Sequence, residues 1–228
     1  MITYIRERLS VTWVGIIIFR IIGSIELMIM KLYKDRSVIK LIKEIKKEDS
    51  HFLLKPSEIF LVYSLALAQR KLDGDYSEVG VYRGSSAKMI CEAKRDKPLY
   101  LFDTFEGLPE VEKVDVLFSK NLFSVNLDSV RRRLAKYKNV YIFKGLFPET
   151  AFVIENKRFA FVHLDVDIYS STKNCLGFFY DRMVKGGVIL SHDYSQAKGV
   201  KKAFDEFFEN KIEEIIELPM SQCMIIKQ

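Results

Sequence analysis

Apolar residues along this chain change rhythm once, near Gly74. Upstream they recur at intervals of three and four, the spacing of a helix face; downstream they gather in short runs separated by helical stretches. The run "VTWVGIIIFRIIGSIELMIM" (11–30) is almost continuously apolar, broken by Arg20 and Glu26. "DRSVIKLIKEIKKEDS" (35–50) sets Val38, Ile39, Leu41, Ile42 and Ile45 among lysines, which predicts an amphipathic helix. "KPSEIFLVYSLALAQRKLDGD" restarts a helix, with Pro56 and Ser57 suited to its first turn and Gly74 to its end. Residues 1–54 are therefore expected to form a helical appendage, and 55–228 the main domain.

Beyond Gly74, "YSEVGVY", "LYLFD", "VYIFKG", "FAFVHLD" and "GGVILSHD" read as strands. Between and after them "SSAKMICEAKR", "LDSVRRRLAKY", a short stretch near "PETAFVIE", "STKNCLGFFYDRM" and "GVKKAFDEFFEN" read as helices. Alternation of this kind predicts an α/β fold, a doubly wound and mostly parallel sheet with helices on both faces. The chain closes with "KIEEIIEL" and "QCMIIKQ" around "PMS", a link too short for a crossover helix, so these two form an antiparallel hairpin.

Composition narrows the function classes. The chain has 228 residues, 49% of them hydrophobic, and a net charge of +6. A basic balance suits an anionic partner, such as a phosphorylated small molecule or a membrane surface. No basic stripe interleaved with aromatics and no zinc-finger or RNP-type motif occurs, so nucleic acid is not an expected partner. The cysteines Cys91, Cys175 and Cys223 are odd in number, widely spaced and in apolar context, which points to buried thiols in a reducing compartment, the cytoplasm. Residues 11–30 are long enough to span a bilayer, yet Arg20 and Glu26 are expensive at mid-membrane, and no small-residue cleavage site follows. Three readings stay open. The segment packs on a partner subunit in a homo-oligomer. It lies in the membrane interface at the inner face, with Arg6, Arg8, Lys31 and Lys34 near headgroups. Or it spans.

Candidate chemistry collects at strand ends. In "EVGVYRGSS", Gly80 and Gly84 let a ligand approach the backbone, and the helix that follows offers free N–H groups to a carboxylate. Glu78 stands where a G-x-G-x-x-G loop has its first glycine, which favours an aminoacyl-nucleoside over a pyrophosphate; Glu78 would accept from an ammonium group directly or through water. The alternative is an ordinary strand-to-helix turn. Asp103, ending the second strand, is placed for vicinal ribose hydroxyls, or else caps its loop. Phe147 in "GLFPET" either packs on the base ring or belongs to the core. Asp165 and, one strand further, His192 and Asp193 should share a rim. Two carboxylates and an imidazole suit a divalent cation, a base-and-orienter pair without metal, or a plain ion-pair cluster. Asp167 and Ser170 are expected to cap a helix that begins near Ser171.

"EVGVYRGSSA", "LYLFDTFEGLP", "GLFPET", "FVHLDVDIYSSTKNCLGFFYDRMVKGGVILSHDY" and "GVKKAFDEFF", in this order, resemble the macrocin O-methyltransferase family. It is one of the class I S-adenosylmethionine-dependent methyltransferases, and the resemblance runs from about residue 55 to the C-terminus. It implies a Rossmann-like seven-stranded sheet with the last strand inserted antiparallel. It also implies S-adenosyl-L-methionine as methyl donor, a divalent cation (usually Mg2+), and a hydroxyl of a sugar, glycan or glycosylated natural product as acceptor. Carried over, Glu78, Gly80, Tyr82, Gly84, Ser85, Thr104, Phe147 and Asp165 line the donor site and Asp103 holds its ribose. Asp165, His192 and Asp193 take the metal and catalytic positions. His192 departs from the family's "DDY", and imidazole suits magnesium less well than a carboxylate does. Without metal, His192 is the expected general base, oriented by Asp193 or Asp165, and Glu106 is a weaker candidate for acceptor contact. Two other readings compete: a nicotinamide-dependent oxidoreductase, which would bind NAD, and a non-catalytic membrane-tethered binding protein of the same fold.

Overall fold

A computed structural model describes residues 13–49 and 52–228. Arg6 and Arg8 lie outside the described residues. The chain divides into two compact units, Met1–Leu61 and Val62–Gln228.

In the first unit, α1 (Trp13–Tyr33) is followed by α2 (Arg36–Glu48) and the start of α3 (Pro56–Ala68). Asp35 caps α2 by accepting from Ser37 N at 2.7 Å, and the helix buries Val38, Ile39, Ile42 and Ile45 along one stripe. Glu26, the acid that interrupts the apolar run, accepts from Ser57 N at 3.3 Å and Ser57 Oγ at 2.9 Å. It thus satisfies a free amide in the first turn of α3. Ile25, Met28, Leu32 and Tyr33 of α1 are exposed. Among the described residues no helix is long and apolar enough to cross a membrane.

The second unit is built on a seven-stranded sheet of order β3-β2-β1-β4-β5-β7-β6. The strands are β1 (Asp75–Val79), β2 (Leu99–Asp103), β3 (Val140–Lys144), β4 (Phe159–Leu164), β5 (Met183–Ser191), β6 (Ile216–Glu217) and β7 (Cys223–Ile226). The first five pair in parallel; β7 runs antiparallel to both β5 and β6, as the closing hairpin pattern requires. Central β4 is buried along its whole length, which explains its unbroken apolar run. One face of the sheet packs Phe102, Phe159, Phe179 and Phe204; the other packs Tyr76, Leu101, Phe161 and Leu190. The connecting helices are α4 (Ser85–Lys94), α5 (Leu127–Leu134), α6 (Tyr169–Phe179) and α7 (Lys198–Phe208).

Two boundaries differ from the sequence pattern. Gly74 does not end α3, which stops at Ala68 before a 3₁₀ turn over Gln69–Lys71. Its small size is needed elsewhere, because a Cβ at Gly74 would lie 2.7 Å from Ala160 N of β4. β6 is cut to two residues because Glu213, within the expected strand, turns inward to Lys227 Nζ (2.8 Å) and Tyr180 Oη (2.6 Å).

Successive connections leave β1 toward β2 and β3, then return across the sheet to β4. Strand order reverses there, so a crevice opens at the carboxyl ends of β1 and β4, where ligands bind in open α/β sheets.

Candidate active site

The sheet ladder continues one residue past the strands. Gly80 N donates to Phe102 O (2.9 Å), Asp165 N to Val79 O (2.9 Å) and His192 N to Leu164 O (2.8 Å). Gly80, Asp165 and His192 therefore stand in one row at the rim, with Asp103 ending β2 beside them.

The chain turns sharply at the end of β1. Gly80 has φ +86°, and a Cβ there would sit 1.8 Å from Asp165 O. Only glycine permits both the dihedral and this approach of the β1 and β4 loops. Gly84, in the left-handed region, forms the N-cap of α4 and, as a glycine, brings no side chain to cap it. Ser85 Oγ accepts from Arg133 Nη1 (3.0 Å), which also donates to Arg83 O (2.8 Å). The Tyr82 ring meets Phe123 of the β2–α5 loop edge-on at 5.6 Å.

Asp103 clasps this turn. Its Oδ2 accepts from Val81 N (2.8 Å) and Tyr82 N (2.7 Å), its Oδ1 from Phe105 N (2.7 Å). Burial pushes its carboxyl up, and those three amides pull the other way. A carboxylate offers about four acceptor positions, so three bonds leave it roughly one for a ribose hydroxyl. Thr104 turns into its own loop, its hydroxyl donating to Gly107 O at 2.6 Å. Exposed Glu106 pairs with Lys144 at 2.7 Å.

Three expectations are corrected. Phe147 does not face a ligand. It is buried, stacked on Phe179 and edge-on to Phe102 and Phe178, because the chain after β3 folds back over that aromatic cluster. Glu78 does not line the crevice either. It is fully buried beneath the turn, its Oε1 2.7 Å from His163 Nδ1. Burial raises its carboxyl, opposed by His163 and by the nearby Ser86. Asp167 and Ser170 do not cap α6. The helix starts earlier, at Tyr169, whose N–H is capped by Asp115 Oδ1 of the β2–α5 loop at 2.9 Å. Ser170 consequently falls inside the helix, and Asp167, at φ +62°, is free for the site.

The expected cluster does form. His192 Nδ1 lies 3.2 Å from Asp193 Oδ1 and 3.4 Å from Asp165 Oδ1, while its Nε2 faces Ser221 Oγ of the β6–β7 hairpin at 3.4 Å. Asp167 joins them: burial first, then the charges of Asp193 and Asp165 and a hydrogen bond with Asp193, push its carboxyl well above the usual range. Burial alone would lower the His192 imidazole, but Asp193 and Asp165 outweigh it and hold it well above its ordinary value. Sequence reasoning missed His163, Ser221 and Arg133; only His163 had a signal, a lone polar residue inside the apolar run of β4.

Residues 64–224 match the sequence pattern of the macrocin O-methyltransferase (TylF) family. The chain belongs to that family. Among curated proteins it is 26% identical to demethyldecarbamoylnovobiocin O-methyltransferase of Streptomyces niveus, over 59% of this chain and 58% of that protein. It is 29% identical to an 8-demethyl-8-(2,3-dimethoxy-alpha-L-rhamnosyl)-tetracenomycin-C 4'-O-methyltransferase of Streptomyces olivaceus, over 54% of this chain and 53% of that protein. The matched region thus spans little more than half the length of these curated relatives. The solved structure of the O-methyltransferase NovP superposes with a TM-score of 0.69 at 21% identity, covering 90% of this chain and 99% of that one, which shows the fold to be the same.

Within this macrocin O-methyltransferase family member, the donor set fits a divalent cation. Asp165, His192 and Asp193 each offer a ligand atom within 4.8 Å of the others. With Asp167 added, three carboxyls face one imidazole, an imbalance that a cation relieves. The imidazole makes such a set less suited to magnesium than an all-carboxylate set is.

Proposed function

We propose that this chain transfers a methyl group from S-adenosylmethionine to a hydroxyl of a sugar, in a glycan or a glycosylated small molecule. The observation that carries this reading is the meeting of the Gly80 turn with Asp165, His192 and Asp193 on one rim. One side of the rim offers backbone approach and helix-terminal amides suited to an amino-acid carboxylate. The other offers carboxylates able to take a proton. Rhamnosyl methylation by the Streptomyces olivaceus relative supports a sugar acceptor.

The donor supplies a sulfonium whose methyl carbon–sulfur bond breaks as the carbon–oxygen bond forms. The protein's work is alignment and proton removal; holding the reactants in attack geometry supplies up to roughly 7–11 kcal/mol. His192 is a poor base here, because two carboxylates hold its proton. The hydroxyl proton passes to a carboxylate of the cluster, with Asp167, whose affinity for a proton is raised by burial and by the charges of Asp193 and Asp165, as the acceptor. Asp165, His192 and Asp193 would hold a divalent cation, which supplies charge neutralisation for the forming alkoxide.

Calorimetry with S-adenosylmethionine, S-adenosylhomocysteine and NAD separates the classes. Binding of the first two and not of NAD is expected, followed by mass-detected methylation within a panel of sugar nucleotides and glycosylated acceptors. Preference for NAD would install the oxidoreductase reading; binding of none would favour the non-catalytic one.

For residues 1–54 we propose a separate appendage that rests on anionic membrane surface. Exposed Ile25, Met28 and Leu32 share α1 with Lys31 and are followed in the chain by Lys34 and the lysine-rich α2, the combination an interfacial helix uses. Full-length protein should float with anionic vesicles while a chain lacking residues 1–35 stays at the bottom of the gradient. Equal behaviour, with a change in oligomeric state instead, would assign the helix to a second copy.

A further inference from the structure

The antiparallel hairpin brings to the rim a side chain from the far end of the sequence. β7 runs against β5 and pairs Cys223 with Ser191, so the residues just before β7 meet the residues just after β5. Ser221 thereby arrives beside His192. Its backbone is fixed there: Ser221 O accepts from Ser195 N at 3.1 Å, and Leu218 N donates to Gln222 O at 2.9 Å across the hairpin turn. Ser195 adds a second tie, its hydroxyl donating to Glu217 Oε1 at 2.6 Å. Ser221 is buried, at 6% exposure, and its Oγ lies 3.4 Å from His192 Nε2.

The two nitrogens of His192 therefore look to different partners. Nδ1 faces Asp193 Oδ1 at 3.2 Å and Asp165 Oδ1 at 3.4 Å; Nε2 faces the hairpin. An imidazole that gives one nitrogen to a cation carries its hydrogen on the other, and the acceptor of that N–H sets the orientation of the ring. A serine hydroxyl can be that acceptor.

We propose that Ser221 is the positioning residue for His192: by accepting from Nε2–H it turns Nδ1 toward Asp165 and Asp193, and the C-terminal hairpin so completes a divalent-cation site. The inference rests on the cation reading of the same cluster. Ser221 acts through the ring, so its effect exists only while residue 192 is a histidine.

Mn2+ alone, titrated into the full-length protein and followed by loss of the free-ion electron paramagnetic resonance signal, reads the site without turnover. Ser221→Ala should weaken Mn2+ binding by about 10-fold, the lower end of the range for removing such an outer partner. Ser221→Thr, which keeps the hydroxyl, should restore most of the affinity. In a chain carrying His192→Asp, adding Ser221→Ala should leave Mn2+ affinity unchanged, because a carboxylate places an oxygen near the Nδ1 position and nothing at Nε2. That comparison separates ring orientation from hairpin packing. An equal loss with and without His192→Asp, Ser221→Thr as weak as Ser221→Ala, or an affinity unmoved by Ser221→Ala would overturn the inference. Wild-type protein that takes up no Mn2+ would overturn the cation reading itself, and this proposal with it.

Discussion

Gly80→Ala should destabilise the second unit by about 3–5 kcal/mol and abolish donor binding, the sum of a strained left-handed alanine and an overpacked contact. The added Cβ would lie 1.8 Å from Asp165 O and 2.6 Å from Asp165 C. Those are backbone atoms, so no rotamer change relieves the overlap. Either the β1 turn or the end of β4 must move, and β4 carries Asp165 with it. Gly84→Ala is the control. Its φ of +79° is equally unfavourable for alanine, but its nearest neighbour is Val130 Cγ1 at 3.2 Å, a side chain able to shift. It should cost only about 1–2 kcal/mol. For a chain of this size the first substitution lowers the melting temperature by roughly 10 °C or more, the second by a few degrees. Equal melting curves for the two variants would mean that the switch-point contact does not hold the site together.

That contact marks the border between what local pattern reveals and what it hides. Strand and helix periods, the terminal hairpin and the rim cluster of Asp165, His192 and Asp193 were all legible, because each depends on spacing along a strand or on strands ending at a common edge. The failures have one cause, partners distant in sequence. Asp167 looked like a helix cap because α6 seemed to need one nearby; its cap comes from Asp115, 54 residues away. Glu78 looked like a ligand contact because nothing local shows that His163, 85 residues on, sits beside it in the next strand. Phe147 was ambiguous until β3, α6 and the following loop supplied Phe102, Phe178 and Phe179 around it. An acid at a strand end has several possible partners, and only the fold selects among them.

The second large effect concerns the carboxylate cluster. Asp193→Asn and Asp165→Asn should each lower kcat by about 10²- to 10⁴-fold, the range for losing a proton acceptor or an electrostatic stabiliser, with little change in donor affinity for Asp193→Asn. The pH profile carries the sign of the mechanism. Asp167 is pushed upward by burial and by its acidic neighbours, so its proton-accepting form is lost as pH falls through a value above the ordinary carboxylate range. Activity therefore rises with pH on an acid limb displaced upward. Protons and a divalent cation compete for the same oxygens, so saturating Mn2+ should move that limb to lower pH and chelation should move it back. His192→Asp restores an all-carboxylate set and should shift cation preference toward Mg2+, since oxygen ligands suit that ion better than imidazole does. A limb unmoved by cation or chelator, with full activity in both, would remove the metal from the mechanism and leave proton transfer to the carboxylates alone. In that case His192 serves as a fixed imidazolium that holds Asp165 and Asp193 together at 3.4 and 3.2 Å, and His192→Asp should be nearly inactive because it sets a fourth carboxylate against three.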